Sequence, residues 1–271
     1  MRLSSLTTGK MPGDRKSRRF HLGVAASSIL LLRATSAFGQ PVPRAAVAPV
    51  TAAALPVHLR RYVHPLAARI TVAGKERGTH AGTLDVGGAR EAISWTAEFP
   101  GKLRVLRGPA GRSLIFDLQG VGQALDDLDE DLLESLSADT ADSFLDTVRR
   151  GYQPRMLGSR FRVPGVTGFG AEMDIFEMGL PVTARREAGS AVKHFAFDTP
   201  TGLLREVAYH RIVGNATIRQ ITRYSNYENV DGTPIPKQIE RFQGAQRRFQ
   251  ISVATSLLQA AAVDGLFNTG R

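Results

Sequence analysis

From Leu66 onward, apolar and polar side chains alternate with a period of two, and turn-forming residues interrupt the alternation at short intervals. Ile93, Trp95, Ala97 and Phe99 share one face of an extended segment, while Ser94, Thr96 and Glu98 share the other. Phe249, Ile251 and Val253 repeat the pattern against Gln250, Ser252 and Ala254, and Phe195 and Phe197 do so more briefly. This is the signature of half-buried strands, whose successive side chains point to opposite faces. Turn signals stand at Gly74 to Gly78, Gly87-Gly88, Pro100-Gly101, Gly108 to Gly111, Asp198 to Gly202, Asp231-Gly232 and Gln243-Gly244. About ten strand candidates, mostly joined by short turns, predict a large antiparallel meander.

One segment departs from this rhythm. Between 121 and 150, Leu125, Leu128, Leu132 and Leu136, then Phe144, Leu145 and Val148, recur every three or four residues. That spacing predicts one helix, or two separated near Ser137. Its apolar side needs a partner, which the open face of a curved sheet supplies. Its polar side, with Asp127, Asp129 and Asp131, reads as a solvated face. The expected fold is therefore mainly β with a helical insertion (α+β): a curved antiparallel sheet or incomplete β-barrel of about ten strands, covered by a helical lid.

The chain has 271 residues, of which 42% are apolar, and carries a formal charge of +10. Such a balance invites a nucleic-acid partner. The placement of the charges removes the invitation. Lys10, Arg15, Lys16, Arg18 and Arg19 precede an uncharged run of 11 residues, Leu22 to Leu32, followed by small residues around Ala37 and Gly39. This is the layout of an export signal, and the run falls well short of the roughly 20 residues that span a bilayer. Residues 1–39 are expected to be cleaved near Ala37 or Gly39, by the general or the twin-arginine route, leaving a periplasmic or secreted protein. The leader takes +6 of the charge, and segment 121–150 holds nine acidic against two basic residues. A negative lid is thus expected to sit on a basic sheet. No basic run interleaved with aromatics occurs beyond the leader, so no nucleic acid is expected. Residues 40–60, rich in Ala, Pro and Val, read as a tether, and 61–271 as a single β domain. Cysteine is absent, which excludes disulfides, thiolate ligands, a Cys nucleophile and a cysteine-linked lipid anchor.

Constellations that carry chemistry fail at diagnostic positions. Asp127, Asp129 and Asp131 have the spacing of a calcium loop, but Leu132 stands where the loop needs Gly and Ala138 where it needs Glu. Gly120-Val-Gly122 opens a helix without the third glycine of a dinucleotide fingerprint. His58 and His64 lack zinc spacing, and His194 and His210, on either side of the Asp198 to Gly202 turn, are offset by roughly 10 Å along their strands. Ser159, within Leu157-Gly-Ser-Arg-Phe161, lacks the second glycine of a nucleophile elbow. Asn215-Ala-Thr217 is a glycosylation sequon only in a host that uses one. No catalytic residue, metal or cofactor is expected.

The second half carries a more particular order. His194-Phe-Ala-Phe-Asp-Thr-Pro-Thr-Gly-Leu-Leu-Arg205 reads as strand, Asp/Thr/Gly turn, strand. Tyr224-Ser-Asn-Tyr-Glu-Asn-Val-Asp-Gly-Thr-Pro-Ile-Pro-Lys237 reads as a strand, an Asp-Gly turn and a proline-marked new strand, and Ala262-Val-Asp-Gly-Leu-Phe267 closes the series. Over residues 190–267 this order resembles the LolA/LolB-like lipoprotein-sorting carriers of the bacterial periplasm, and in particular their uncharacterised exported relatives. The resemblance implies an incomplete antiparallel barrel around an apolar cavity, helices as a lid, and non-catalytic carriage or sensing of acyl chains or lipoproteins. The chain departs from the family in its Ala/Pro-rich start and its longer acidic segment, and no cavity residue of the carriers maps onto a position here.

The candidates for the apolar ligand face are Ile93, Trp95, Phe99, Phe195, Phe197, Phe249, Ile251 and Val253. Alternation alone leaves open whether they line a cavity or fill a core. The expected partners are lipid or lipoprotein acyl chains and envelope membrane proteins. Two other readings stand beside carriage: a structural or sensory interaction domain that binds a protein through a sheet edge or the acidic helix, and a hydrolase.

Overall fold

The computed structural model describes residues 76–109, 111–117, 120–121, 125–161, 172–179, 192–213, 215–261 and 265–267. The expected export signal, the tether and the strand pattern at 66–75 lie outside the described residues, which all belong to the unit Ala45–Arg271.

Among the described residues, twelve strands form one sheet. The first five are β1 (Arg77–Val86), β2 (Ala89–Glu98), β3 (Lys102–Arg107), β4 (Arg112–Asp117) and β5 (Gly120–Val121). The other seven are β6 (Arg155–Phe161), β7 (Met173–Gly179), β8 (Val192–Asp198), β9 (Leu204–Val213), β10 (Ala216–Val230), β11 (Thr233–Gln243) and β12 (Gln246–Gln259). Their order, β5-β4-β3-β2-β1-β12-β11-β10-β9-β8-β7-β6, is two meanders joined along a single seam where β1 pairs antiparallel with β12. The count exceeds the expected ten partly because β5 is only two residues long and β6 lacks clean alternation.

Turn chemistry sets the hairpins. Asp231 and Gly232, at φ 49° and 81°, make the two-residue connection between β10 and β11 that only residues tolerant of the left-handed region adopt. Gly78, read from sequence as part of a turn, lies inside β1, with the His80 ring over the space a Cβ would need. Gly82 serves the seam. A Cβ there would stand 2.1 Å from the Ser252 carbonyl oxygen, so a side chain at 82 would force the two strands apart.

The segment between β5 and β6 is the cover. α1 (Asp127–Leu133) runs into a π-helical turn (Glu134–Ala138), and α2 (Ala141–Arg149) follows. The break near Ser137 is the expected one. Asp126 caps α1 by accepting from the Asp129 amide (2.7 Å), and Thr140 caps α2 by accepting from the Ser143 amide (3.1 Å). Leu132, Leu133, Leu136, Phe144, Leu145 and Val148 all face the sheet and are buried against it. The result is a curved open half-barrel with a helical lid.

Candidate functional site

Seven of the eight predicted face residues are buried in one cluster: Ile93 and Trp95 on β2, Phe195 and Phe197 on β8, and Phe249, Ile251 and Val253 on β12. Phe99, in the turn after β2, is half-buried against the same cluster, with the Arg149 guanidinium 5.2 Å from its ring centre. Trp95 stacks on His80 at 4.9 Å. In this conformation the cover fills the face. Phe144 of α2 enters an aromatic cage, its ring 5.1 Å from both Phe195 and Phe197 and 5.9 Å from Phe176 of β7. The edge-to-face tilts of 60° to 68° are the preferred aromatic geometry.

Beside this apolar region lies an ionic one. Arg241 of β11 and Asp139 of the cover have fully buried side chains, 2.9 Å apart. The second amine of Arg241 reaches Glu134 (3.0 Å), Asp131 (3.4 Å) and the Tyr209 hydroxyl (2.5 Å). Lys193 of β8 pairs with Glu134 (3.1 Å) and Asp139, and Arg248 of β12 with Asp131 (3.4 Å). Thr222 of β10 donates to Asp139 (2.6 Å), and the Tyr224 hydroxyl donates to the Ser135 and Asp139 carbonyls at 2.8 Å each. The π-helical turn makes the convergence possible. In it the Asp139 amide donates to the Glu134 carbonyl five residues back (2.9 Å). Five residues of α-helix would turn the two side chains about 140° apart, whereas the wider turn returns them to one side.

Charge states follow from these contacts. Burial opposes ionisation of Glu134, but the neighbouring Lys193 and Arg241 cations prevail and lower its carboxyl to about 2. Burial wins at Asp131, whose carboxyl is raised in spite of Arg241 and Arg248. Burial works against the Lys193 ammonium too, yet Asp139 and Glu134 raise it and keep it charged. Burial also raises the Tyr209 hydroxyl, with Asp139 and Glu134 adding to it, so it stays neutral.

Two further tethers hold the front of the cover. Arg107 and Arg112, flanking the β3–β4 turn, both pair with Asp126 and Asp129, and Arg211 of β9 pairs with Glu130 at 2.7 Å. The solvated face expected for Asp127, Asp129 and Asp131 is therefore corrected. Only Asp127 is exposed; Asp129 and Asp131 are buried among arginines, because the surface beneath α1 is itself basic. The expected negative lid on a basic sheet is present as these ion pairs.

The other sequence candidates do not converge. His194 sits opposite Ala208, one residue beyond simple hairpin counting, because a bulge at Ala196/Phe197 inserts Arg205; its ring meets Glu177 at 3.4 Å. His210 lies opposite Arg219. Ser159 donates to Asp174 (2.6 Å) on the edge hairpin. The ionic cluster was missed by sequence reasoning, although a signal exists. Lys193 is in phase with Phe195 and Phe197, and Arg241 with Ile239, so both cations occupy inward positions of their strands.

No family model matches the chain, and no curated protein matches it in sequence. Solved structures do match in shape. A domain from Vibrio parahaemolyticus named for outer membrane lipoprotein sorting superposes with a TM-score of 0.51 at 10% identity, covering 77% of this chain and 96% of that one. The chain shares the fold of that domain. A DUF1329 family protein from Desulfovibrio piger (TM-score 0.48, 13% identity, 77% and 96% coverage) is also similar. So is a LolA superfamily protein from Nitrosomonas europaea (0.46, 11%, 71% and 89%). Within this fold, the Asp198 to Leu203 motif closes the β8–β9 hairpin. The Asp198 carboxylate accepts from the Thr201 amide (3.0 Å), and its carbonyl accepts from the Gly202 amide (2.7 Å).

Proposed function

We propose that this protein is an exported, non-catalytic lipid- or lipoprotein-binding protein of the bacterial periplasm, in which an acyl chain takes the place of the cover on the inner face of the half-barrel. The observation that supports it most is the composition of that face: Trp95, Phe195, Phe197, Phe249 and Ile251 converge on one apolar surface whose only cover among the described residues is a separate two-helix segment. The ligand residues of this reading are Ile93, Trp95, Phe99, Phe195, Phe197, Phe249, Ile251 and Val253, and residues 1–39 act as the export signal. The test is native mass spectrometry of the protein purified from the envelope of an expression host, with uptake of an apolar dye measured in parallel. Acyl species released on denaturation, and dye uptake that added lipid reverses, are the expected results. Apo protein that takes up no dye overturns the reading.

A second reading, the interaction domain, is favoured by β6. This edge strand is exposed on both faces, and Met156, Leu157 and Phe161 present large apolar side chains to solvent along it, with Tyr152 exposed just before it. Such an edge is a template for pairing with another chain. A stable complex captured through β6 by a protein that carries no lipid would favour it.

A further inference from the structure

Lys193, Arg241 and Arg248 project from three strands of the sheet toward one end of the apolar face, and among the described residues every ion-pair partner they have belongs to the cover. The sheet itself supplies only neutral groups here, the hydroxyls of Tyr209 and Thr222, each bonded to Arg241 (2.5 and 2.9 Å). Without the cover, the sheet presents three cations with no counter-charge. With it, three carboxylates occupy them. They leave one donor over: the Arg241 Nε is buried and makes no hydrogen bond among the described residues. An oxyanion approaching side-on uses that nitrogen in the bidentate geometry arginine favours. Next along the strands come Phe195 and Phe197 from Lys193, and Ile239 from Arg241, so cation and apolar wall follow one another over about 13 Å at about 3.3 Å per residue.

We propose that Asp131, Glu134 and Asp139 stand in for the headgroup of the ligand, which is an anionic amphiphile: its carboxylate or phosphate takes Lys193, Arg241 and Arg248, and its chain takes the aromatic face. The inference rests on the lipid-binding reading and names the ligand class within it. A neutral amphiphile displaces the cover only by leaving the cations without an anion, whereas an anionic one exchanges carboxylate for carboxylate or phosphate. The cover is thereby a competitor for the site it closes.

The test uses the full-length mature chain and four probes of equal chain length: laurate, dodecyl phosphate, dodecanol and dodecyltrimethylammonium, each displacing an apolar dye. Laurate or dodecyl phosphate is expected to displace at least tenfold more effectively than dodecanol, with the ammonium weakest; the order of the first two tells a carboxylate source from a phosphate source. Arg248→Met, at the solvent edge of the cluster, is expected to lower the ratio of laurate to dodecanol affinity at least threefold. Glu134→Gln, which weakens the competitor without touching the open sheet, is expected to strengthen laurate and dodecanol binding by the same factor, several-fold. Equal displacement by laurate and dodecanol overturns the headgroup assignment and leaves lipid binding standing. Folded protein that binds neither dye nor probe overturns both.

Discussion

α1 with its π-helical turn meets the sheet through five carboxylates, Asp126, Asp129, Glu130, Asp131 and Glu134, while α2, a few residues on, meets it through Phe144 in an aromatic cage. Both lie on the same sheet. They differ in what holds them: packing at α2 is non-directional and insensitive to ionic conditions, whereas the α1 contact depends on desolvated charge and on exact partnership. Removing one member of a buried ion pair is far costlier than the pair is worth, because the other is left uncompensated. One half of the cover therefore responds to charge and the other does not.

That contrast is broken most strongly by Phe144→Ala. A loss of about 4 kcal/mol in chemical denaturation is expected, from lost burial and the cavity left in the cage. Hydrogen exchange is expected to show faster opening of α2 with α1 still protected; equal loss in both helices would show that the two attachments are one unit. Arg241→Met follows, at about 3 kcal/mol, since Asp139 stays buried with Lys193 as its remaining cation. Adding Asp139→Asn is expected to recover part of that loss in the same measurement, and a further loss instead would contradict the uncompensated-charge account.

Acid gives a smaller effect with a defined sign. The Glu134 carboxyl is lowered from 4.5 to about 2 in the folded state, so its contribution is complete above pH 4.5 and disappears as pH falls toward 2. The upper limit is about 3 kcal/mol, reduced because 24% of the side chain stays in water. Asp131, raised above 3.8, works the other way: its ionisation costs stability as pH rises through its range, so it offsets part of the acid loss. Lys193, Tyr209 and Arg241 face these two and hold their charge states throughout. Glu134→Gln is expected to flatten the acid limb of a stability–pH curve, and an unchanged limb would refute this assignment. Salt ranks last. Arg112–Asp126 and Arg211–Glu130 are partly exposed and contribute about 0.2–1 kcal/mol each, so moving from 0.05 to about 0.5 M salt is expected to loosen the start of α1 and leave exchange in α2 unchanged.

The strands were legible because alternation reports which side of a strand is inward, and Ile93 to Phe99, Phe195 to Phe197 and Phe249 to Val253 report it with large side chains. The helices were legible from leucine spacing, and their break from Ser137. The polar side of α1 was misread because helical periodicity says which residues share a face but not what that face meets. Asp129 and Asp131 look solvated until Arg107, Arg112 and Arg241, brought from strands far away in sequence, lie under them. The π-helical turn left no sequence mark, since it arises from the need to bring Glu134 and Asp139 to the same cations. β6 hid for the opposite reason: an edge strand exposed on both sides has no inward phase to report.

The seam between β1 and β12 has a consequence in time. Arg77 pairs with Gln259 and Asp85 with Gln250, so each contact across it joins residues 165 to 182 positions apart. Loops of that length close late, and folding slows as such separations come to dominate. The first meander reaches the second only through the last strand of the chain, so the seam cannot close before β12 is in place. The middle of the finished sheet is the last part of it to exist.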